Sequence, residues 1–227
     1  MKLFRKRDFI TIGFILLFGA IAVSIFYYIL KPVETLPVYQ PYEVNEKLVD
    51  SSIIYKSKYH KISDFNLINQ NGEKITQEFY QDKIYIADFF FTTCQDICPV
   101  MTKNMYDLQQ KLKDNREILL LSHTVMPEVD SIQQLKKYAL ENNIDDNKWN
   151  LVTGDKKQIY DLARKSYLAV EDSEFGKFDM IHTENFMLID KQRQIRGFYD
   201  GTNKEEIERL LTAVSYTHLR AHETSQN

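Results

Sequence analysis

The chain has 227 residues, of which 44% are hydrophobic and 27% are charged, a balance typical of a globular protein. The net charge is −3, and no lysine- or arginine-rich patch lies outside the first eight residues, so nucleic-acid binding is not expected. Two cysteines are too few for a disulfide-rich scaffold or a four-cysteine zinc site. They are enough for one redox pair or one small site for a soft metal.

The N-terminal residues have the pattern of a membrane anchor. Residues 1–8 are basic, and residues 9–30 carry no charge. As a helix, the uncharged run is about 33 Å long, which is enough to cross a bilayer. A cleaved signal peptide is the alternative, but the run is longer than an ordinary signal-peptide apolar region. We predict a cytoplasmic start at 1–8 and a single-pass anchor at 9–30 in the cytoplasmic (inner) membrane. The rest of the chain then lies on the extracytoplasmic, periplasmic side.

The remaining chain divides into a linker, one domain and a tail. Three of the five prolines lie in residues 31–45, which favours an extended linker at 31–60. We predict a globular domain at 61–212. Residues 213–227 do not continue the preceding amphipathic pattern and resemble translated sequencing-adapter sequence, so we expect a non-native tail. His218 and His222 in this tail have metal-ligand spacing, but we assign them no function.

Strands and helices alternate along the domain. The apolar runs predict two short strands around Asn71-Gly72, further strands at 83–91, 117–125 and 149–153, and a hairpin at 185–201. Helices are expected at 99–112, at 131–142 with Ser131 as the N-cap, at 155–169 and from 203 onward. This order predicts an α/β fold with a central mixed sheet flanked by helices.

The chemistry lies in FFFTTCQDICPVM (89–101), where Cys94 and Cys98 follow a buried strand and precede a helix. A helix N-terminus favours thiolate over thiol, and thiolates are both nucleophiles and ligands of soft metals. A passive disulfide is the alternative, because disulfides are common outside the cytoplasm. However, it would close a very short loop and add little stability. The position at a strand–helix junction therefore favours a functional pair.

Five segments carry a resemblance to a known family: DFNLINQNGEKIT, FFFTTCQDICP, LLLSHTVMPEVDSIQQLKKYA, LVTGDKKQIYDLA and IHTENFMLIDKQRQIRGFYDG. In their order along the chain they resemble the Sco/SenC family of membrane-anchored copper chaperones for cytochrome c oxidase assembly. The resemblance covers about residues 60–212 and the anchor. It implies a thioredoxin-like fold for the domain.

The resemblance also implies a copper site. In the family, copper is held by the two cysteines of CxxxCP and one distal histidine, which correspond to Cys94, Cys98 and His182. Thiolates suit Cu(I), and imidazole also tolerates Cu(II). Family members often have an acidic residue directly before this histidine, whereas this chain has Ile181, with Asp179 two residues earlier. The implied function is a metallochaperone, not an enzyme, which delivers copper to the dinuclear site of cytochrome c oxidase subunit II. The sequence does not identify the upstream copper donor.

Other residues near the motif have two interpretations each. Asp88 lies inside a buried strand six residues before Cys94, so it is either a proton acceptor for the thiols or a structural carboxylate. His123, expected at the end of a strand, and Met126 are auxiliary ligands or, as we favour, loop residues satisfied by the backbone. Asp96 and Met101 are weak extra ligands or, as we favour, a solvated loop residue and a core residue.

Two other functions would use the same cysteines. The first is a dedicated thiol–disulfide oxidoreductase that keeps the client's copper-ligand cysteines reduced. The motif is CxxxC rather than CxxC, and no proline follows Pro127, so the cis-proline strand of general thioredoxin-type enzymes is missing. The second is a copper or redox sensor, which the sequence does not separate from a chaperone.

Overall fold

The computed structural model describes residues 6–30, 36–43, 60–169 and 183–224. The chain forms two compact units, residues 1–35 and residues 36–227. The first unit contains the described helix α1 (Lys6–Leu30). Within the described ranges, no helix combines the length and the apolar character that crossing a membrane requires. The predicted transmembrane anchor is therefore not confirmed.

The second unit is built on one seven-stranded mixed sheet. Its strands are β1 (Asn66–Asn69), β2 (Lys74–Thr76), β3 (Ile84–Phe90), β4 (Ile118–Thr124), β5 (Trp149–Thr153), β6 (Asn185–Ile189) and β7 (Ile195–Asp200). The spatial order is β2-β1-β5-β4-β3-β6-β7. Strands β3, β4 and β5 are parallel, while β1 and β6 pair antiparallel to β5 and β3. The predicted mixed sheet is confirmed.

The two central strands are β3 and β4, and every residue of both is buried. Their near-continuous apolar sequence suits this position, because a strand covered on both faces has no polar, solvent-facing side. Along β3 the side chains alternate between two cores. Tyr85 and Phe89 belong to the first core, and Ile86 and Phe90 belong to the second.

The helices are α2 (Ile97–Leu112), α3 (Ile132–Glu141), α4 (Lys156–Asp161) and α5 (Lys204–Thr224). A turn of π-helix continues α4 over Leu162–Ser166. Ser131 caps α3 as predicted, because its hydroxyl accepts a hydrogen bond from the Gln134 amide at 3.2 Å. Apolar side chains of α2, α3 and α5 contribute to the second core, on the same side of the sheet as Cys98.

Part of the predicted linker packs against the domain instead of extending away from it. The Tyr39 amide donates to the Ile195 carbonyl at 2.9 Å, and the Tyr39 ring meets the Phe198 ring edge-on at 5.3 Å between centroids. The Arg196 guanidinium donates to the Leu36 carbonyl. These contacts cover β7, which is an edge strand of the sheet with backbone groups that need partners. The prolines at 31–45 therefore do not make the whole segment a free spacer. Residues 44–59 lie outside the described part of the chain.

The last helix does not end at residue 212. Ala213 and Val214 are 3% and 1% exposed and pack in the second core beside Leu210. The amphipathic pattern thus continues past residue 212, because Ala213 and Val214 take the inward positions one turn after Leu210. The prediction that the amphipathic pattern stops at residue 212 was wrong. The non-native origin of 213–227 stays a prediction.

Candidate metal centre

The two cysteines lie where strand β3 meets a helix. Strand β3 ends at Phe90, and α2 begins at Ile97. In the connecting loop, the Cys94 amide donates to the Phe91 carbonyl at 3.2 Å, which folds the loop into a turn. Both cysteines are free thiols; Cys94 is half-buried and Cys98 is 4% exposed. The predicted position at a strand–helix junction is confirmed.

The surroundings of the two thiols shift their pKa values in opposite directions. Burial opposes ionisation of Cys94, but hydrogen bonds to its sulfur from the Cys98 thiol and from the Asp96 and Cys98 amides outweigh it, so the pKa of Cys94 is lowered. Burial raises the pKa of Cys98, and its side-chain hydrogen bond to Cys94 raises this pKa further. Cys94 is therefore the more accessible sulfur and the one that ionises first, with Cys98 as its hydrogen-bond donor.

Asp88 faces the same core as Cys98. It is 2% exposed and accepts a hydrogen bond from the Ser122 hydroxyl, whose oxygen in turn accepts from Trp149 Nε1 at 2.8 Å. Asp88 Oδ1 has no hydrogen-bond partner among the described residues. Burial raises the pKa of Asp88 to about 7, and the charge of Asp88 contributes to the raised pKa of Cys98. Asp88 is thus a buried carboxyl on the thiol side of the sheet, and its role as a proton acceptor for the thiols stays a prediction.

His123 lies on the other face of the sheet. Its ring stacks on Phe89 at 4.9 Å and meets Tyr167 and Phe65 edge-on at 5.1 and 6.0 Å between centroids. It is 0% exposed, and burial lowers its pKa to about 4. The auxiliary-ligand interpretation of His123 is wrong, because the register that places Asp88 toward Cys98 places His123 in the first core. Met126 is partly buried and also packs against the first core.

The favoured interpretations of two loop and helix residues are confirmed. Asp96 precedes α2, is exposed, and makes no side-chain capping bond. Met101 is 1% exposed and packs in the second core with Cys98.

The third predicted ligand, His182, lies outside the described residues, as do Asp179 and Ile181. Among the described residues, no three His, Cys, Asp or Glu side chains come together in an arrangement that could hold a metal ion. The structure therefore brings together two of the three predicted ligands, Cys94 and Cys98. The role of His182 stays a prediction.

A tyrosine beside the thiols was not predicted from the sequence. The Tyr138 hydroxyl lies 2.7 Å from Thr102 Oγ1, and its ring packs against Phe90 at 5.5 Å between centroids. Burial raises the pKa of Tyr138 to about 12, and the nearby charges of Cys98, Asp88 and Cys94 add to the shift. Its place on the apolar face of α3 was visible in the sequence, but its contact with the site depends on how α3 packs.

Comparisons with known proteins agree with this architecture. The family model described as SCO1/SenC matches residues 55–215. The SCO1 protein homolog of Bacillus subtilis is 32% identical over 157 residues, which cover 68% of this chain and 81% of that protein. The solved structure of BsSco, described as a Sco-family cytochrome c oxidase assembly protein with a disulfide switch, is 31% identical. That match has a TM-score of 0.60 and covers 71% of this chain and 96% of BsSco.

A copper-bound structure of ScoI from Bradyrhizobium japonicum shares the fold at 22% identity, with a TM-score of 0.55 over 68% of this chain and 98% of that one. The mixed sheet flanked by helices is accordingly the thioredoxin-like α/β fold expected from the sequence. By sequence and by fold, the chain belongs to the SCO1/SenC family.

Proposed function

We propose that this chain is a copper metallochaperone that delivers copper to the dinuclear copper site on subunit II of cytochrome c oxidase. The observation that carries the proposal is a pair of free thiols, Cys94 and Cys98, in side-chain hydrogen-bond contact at the N-terminus of α2. Membership of the SCO1/SenC family supports it, as does the description of BsSco as a cytochrome c oxidase assembly protein.

The sulfur pair suits copper as cargo. Soft thiolates prefer Cu(I), and a site with two sulfurs and one imidazole would hold Cu(I) and tolerate Cu(II). We propose Cys94, Cys98 and His182 as the ligands, with His182 supplied by the segment before β6. Such a site has few ligands, and Cys94 is half-exposed, so an incoming client thiolate can reach the metal. Copper would move by ligand exchange, with a client sulfur binding before a chaperone sulfur leaves.

We further propose that the domain works at the extracytoplasmic face of the membrane that holds its client. The support is the sequence: a basic start, an uncharged run at 9–30, and the family resemblance. Membrane fractionation of the full chain, followed by protease treatment of intact cells or spheroplasts, tests this directly. The domain should be in the membrane fraction and be degraded from the outside.

A second function, a dedicated thiol–disulfide oxidoreductase for the same client, is favoured by one observation. The pKa of Cys94 is lowered and that of Cys98 is raised, with Asp88 titrating on the same side of the sheet. This asymmetry suits exchange in which Cys94 attacks a client disulfide and Cys98 then resolves the mixed disulfide. The client disulfide would be reduced to a dithiol, and Cys94–Cys98 would be oxidised to a disulfide.

One experiment separates the two functions. The full chain, purified in detergent and loaded with Cu(I), is mixed with the copper-free, reduced soluble domain of subunit II, and copper is measured on each protein after separation. A chaperone transfers most of its copper to the client. In a parallel reaction, the reduced, copper-free chain is mixed with the disulfide form of the client, and free client thiols are counted. If free client thiols appear but no copper is transferred, the reductase function would be favoured over the chaperone function.

The matched controls are a Cys98→Ala variant and a Cu(I)–chelator complex at the same free copper concentration. Cys98→Ala should transfer little copper, because it cannot form the two-sulfur site. If the chelator delivers copper as completely and as fast as the chain does, the chaperone proposal fails.

A further inference from the structure

A buried carboxylate holds the loop that carries Cys94. Asp130 lies between β4 and α3 and is 0% exposed. Its Oδ1 accepts from the Thr92 hydroxyl at 2.5 Å, and its Oδ2 accepts from the Thr92 amide at 3.2 Å and from the Thr124 hydroxyl. Thr92 follows β3 and precedes Cys94 by two residues, while Thr124 ends β4. One side chain therefore ties together the ends of the two central strands.

The two hydroxyls are oriented by further hydrogen bonds. Thr92 Oγ1 accepts from Gln134 Nε2 at 3.1 Å, and Thr124 Oγ1 accepts from the Met126 amide at 3.0 Å. Each hydroxyl thus accepts from one neighbour and donates its proton to Asp130. This arrangement needs acceptors on both oxygens of residue 130, which a carboxylate provides and a carboxamide does not.

The same loop sets the position of Cys94. The Cys94 amide bonds to the Phe91 carbonyl, so the turn that carries the sulfur starts next to Thr92. The backbone hydrogen bonds between β3 and β4 continue at the strand ends, where the Val125 amide donates to the Phe90 carbonyl at 2.9 Å. Movement of Thr92 would therefore shift the turn and separate Cys94 from Cys98, which is fixed on α2 in the core.

We propose that Asp130 is a positioning residue for the two-sulfur site, which it orders by fixing Thr92 and the turn before Cys94. The copper part of this inference rests on the proposed function, whereas its disulfide part does not. A fixed turn keeps the two sulfurs close before either Cu(I) or a disulfide joins them. Loss of the hydrogen bonds between Asp130 and Thr92 should weaken both Cu(I) binding and the disulfide. The loop must then be ordered when either one forms, which costs free energy.

The test uses the full chain and four variants: Asp130→Asn, Thr92→Val, Thr92→Ser and Asp190→Asn. Two quantities are measured for each: the Cu(I) dissociation constant by chelator competition, and the equilibrium constant for reduction of the Cys94–Cys98 disulfide by dithiothreitol. In that reaction the protein disulfide becomes a dithiol and dithiothreitol becomes its cyclic disulfide. Thermal unfolding is recorded in parallel to measure stability.

Asp130→Asn and Thr92→Val should each weaken Cu(I) binding at least fivefold and shift the disulfide equilibrium toward the dithiol by a similar factor. A tenfold shift would correspond to about 30 mV. Thr92→Ser keeps the hydroxyl and should stay within twofold of the wild-type chain in both measurements. Thr92→Val and Thr92→Ser also keep the test decisive if Asp130→Asn does not fold.

Asp190→Asn is the control for stability alone. Asp190 is also a buried carboxylate, 4% exposed, but it lies at the β6–β7 turn and faces Arg196 at 3.3 Å. This variant should lower the unfolding temperature and leave both thiol measurements unchanged. The inference is overturned if Asp130→Asn and Thr92→Val lower stability without changing either thiol measurement, or if Asp190→Asn changes them equally. If the wild-type chain binds no Cu(I) tightly, the proposed function fails, and the disulfide equilibrium still decides the role of Asp130.

Discussion

The two faces of the central sheet carry their buried titratable groups in different ways. On the face toward α2, Asp88, Ser122 and Trp149 form a hydrogen-bonded chain beneath Cys98. On the other face, His123 is enclosed by aromatic rings, and its Nε2 has no hydrogen-bond partner among the described residues. Asp88 and His123 sit one ladder position apart. Strand alternation thus decides which group lies on the thiol side of the sheet and which packs among the aromatic rings.

The largest expected effect is a difference in Cu(I) affinity between variants on the two faces of the sheet. Replacing Cys98 by alanine removes one of the two sulfurs, and we expect Cu(I) affinity to fall at least a thousandfold. Replacing His123 by phenylalanine should leave affinity within twofold, because that ring faces the first core. Chelator competition on both variants measures this. A large loss of affinity in His123→Phe would mean that His123 contributes to the site after all.

The second effect concerns the pH dependence of stability. The pKa of Asp88 is raised to about 7 from its ordinary value of 3.8, so the folded chain keeps a proton that the unfolded chain releases. Stability is therefore present in full at low pH and is lost as the pH rises from about 4 to about 7. At about 1.4 kcal/mol per pKa unit, and allowing for relaxation, the loss is about 2–4 kcal/mol.

Asp88→Asn should remove this slope and make the chain more stable than wild type at pH 8. Denaturant unfolding of the reduced chain at pH 5 and pH 8 measures the effect. An equal slope in wild type and variant would show that Asp88 is ionised in the folded chain at both values.

The smallest effect concerns the stability of the histidine face. His123 is held neutral by burial, with its pKa lowered to about 4 from 6.5, so stability is lost as the pH falls from about 6.5 toward 4. His123→Phe keeps the aromatic packing and removes a buried polar nitrogen, so we expect a gain of about 1 kcal/mol at pH 7. The gain should grow toward pH 5, which denaturant unfolding would measure. A loss of stability at pH 7 would indicate that Nε2 has a partner that the described residues do not include.

The sequence predicted the parts of the fold that depend on local patterns. The apolar runs of β3 and β4 predicted buried strands, and the junction of β3 with α2 located the cysteine pair. The strand runs did not show which face His123 takes, because strands buried on both faces lack the polar alternation that would reveal it.

Long-range contacts were the other features that the sequence did not reveal. Asp130 reads as an ordinary loop acid beside the Ser131 cap, and its contact with Thr92 spans 38 residues. The packing of Tyr39 on Phe198 joins segments that are still further apart along the chain. No local pattern predicts such pairs, since they depend on how the strands and loops assemble in space.

The central claim is that Cys94, Cys98 and His182 bind one copper ion. The most direct measurement is a Cu(I) titration of the reduced full chain against a competing chelator, repeated with Cys94→Ala and His182→Ala. We expect tight one-to-one binding in the wild-type chain and a large loss of affinity in both variants. Wild-type binding that is weak, or that is unchanged by His182→Ala, would contradict it.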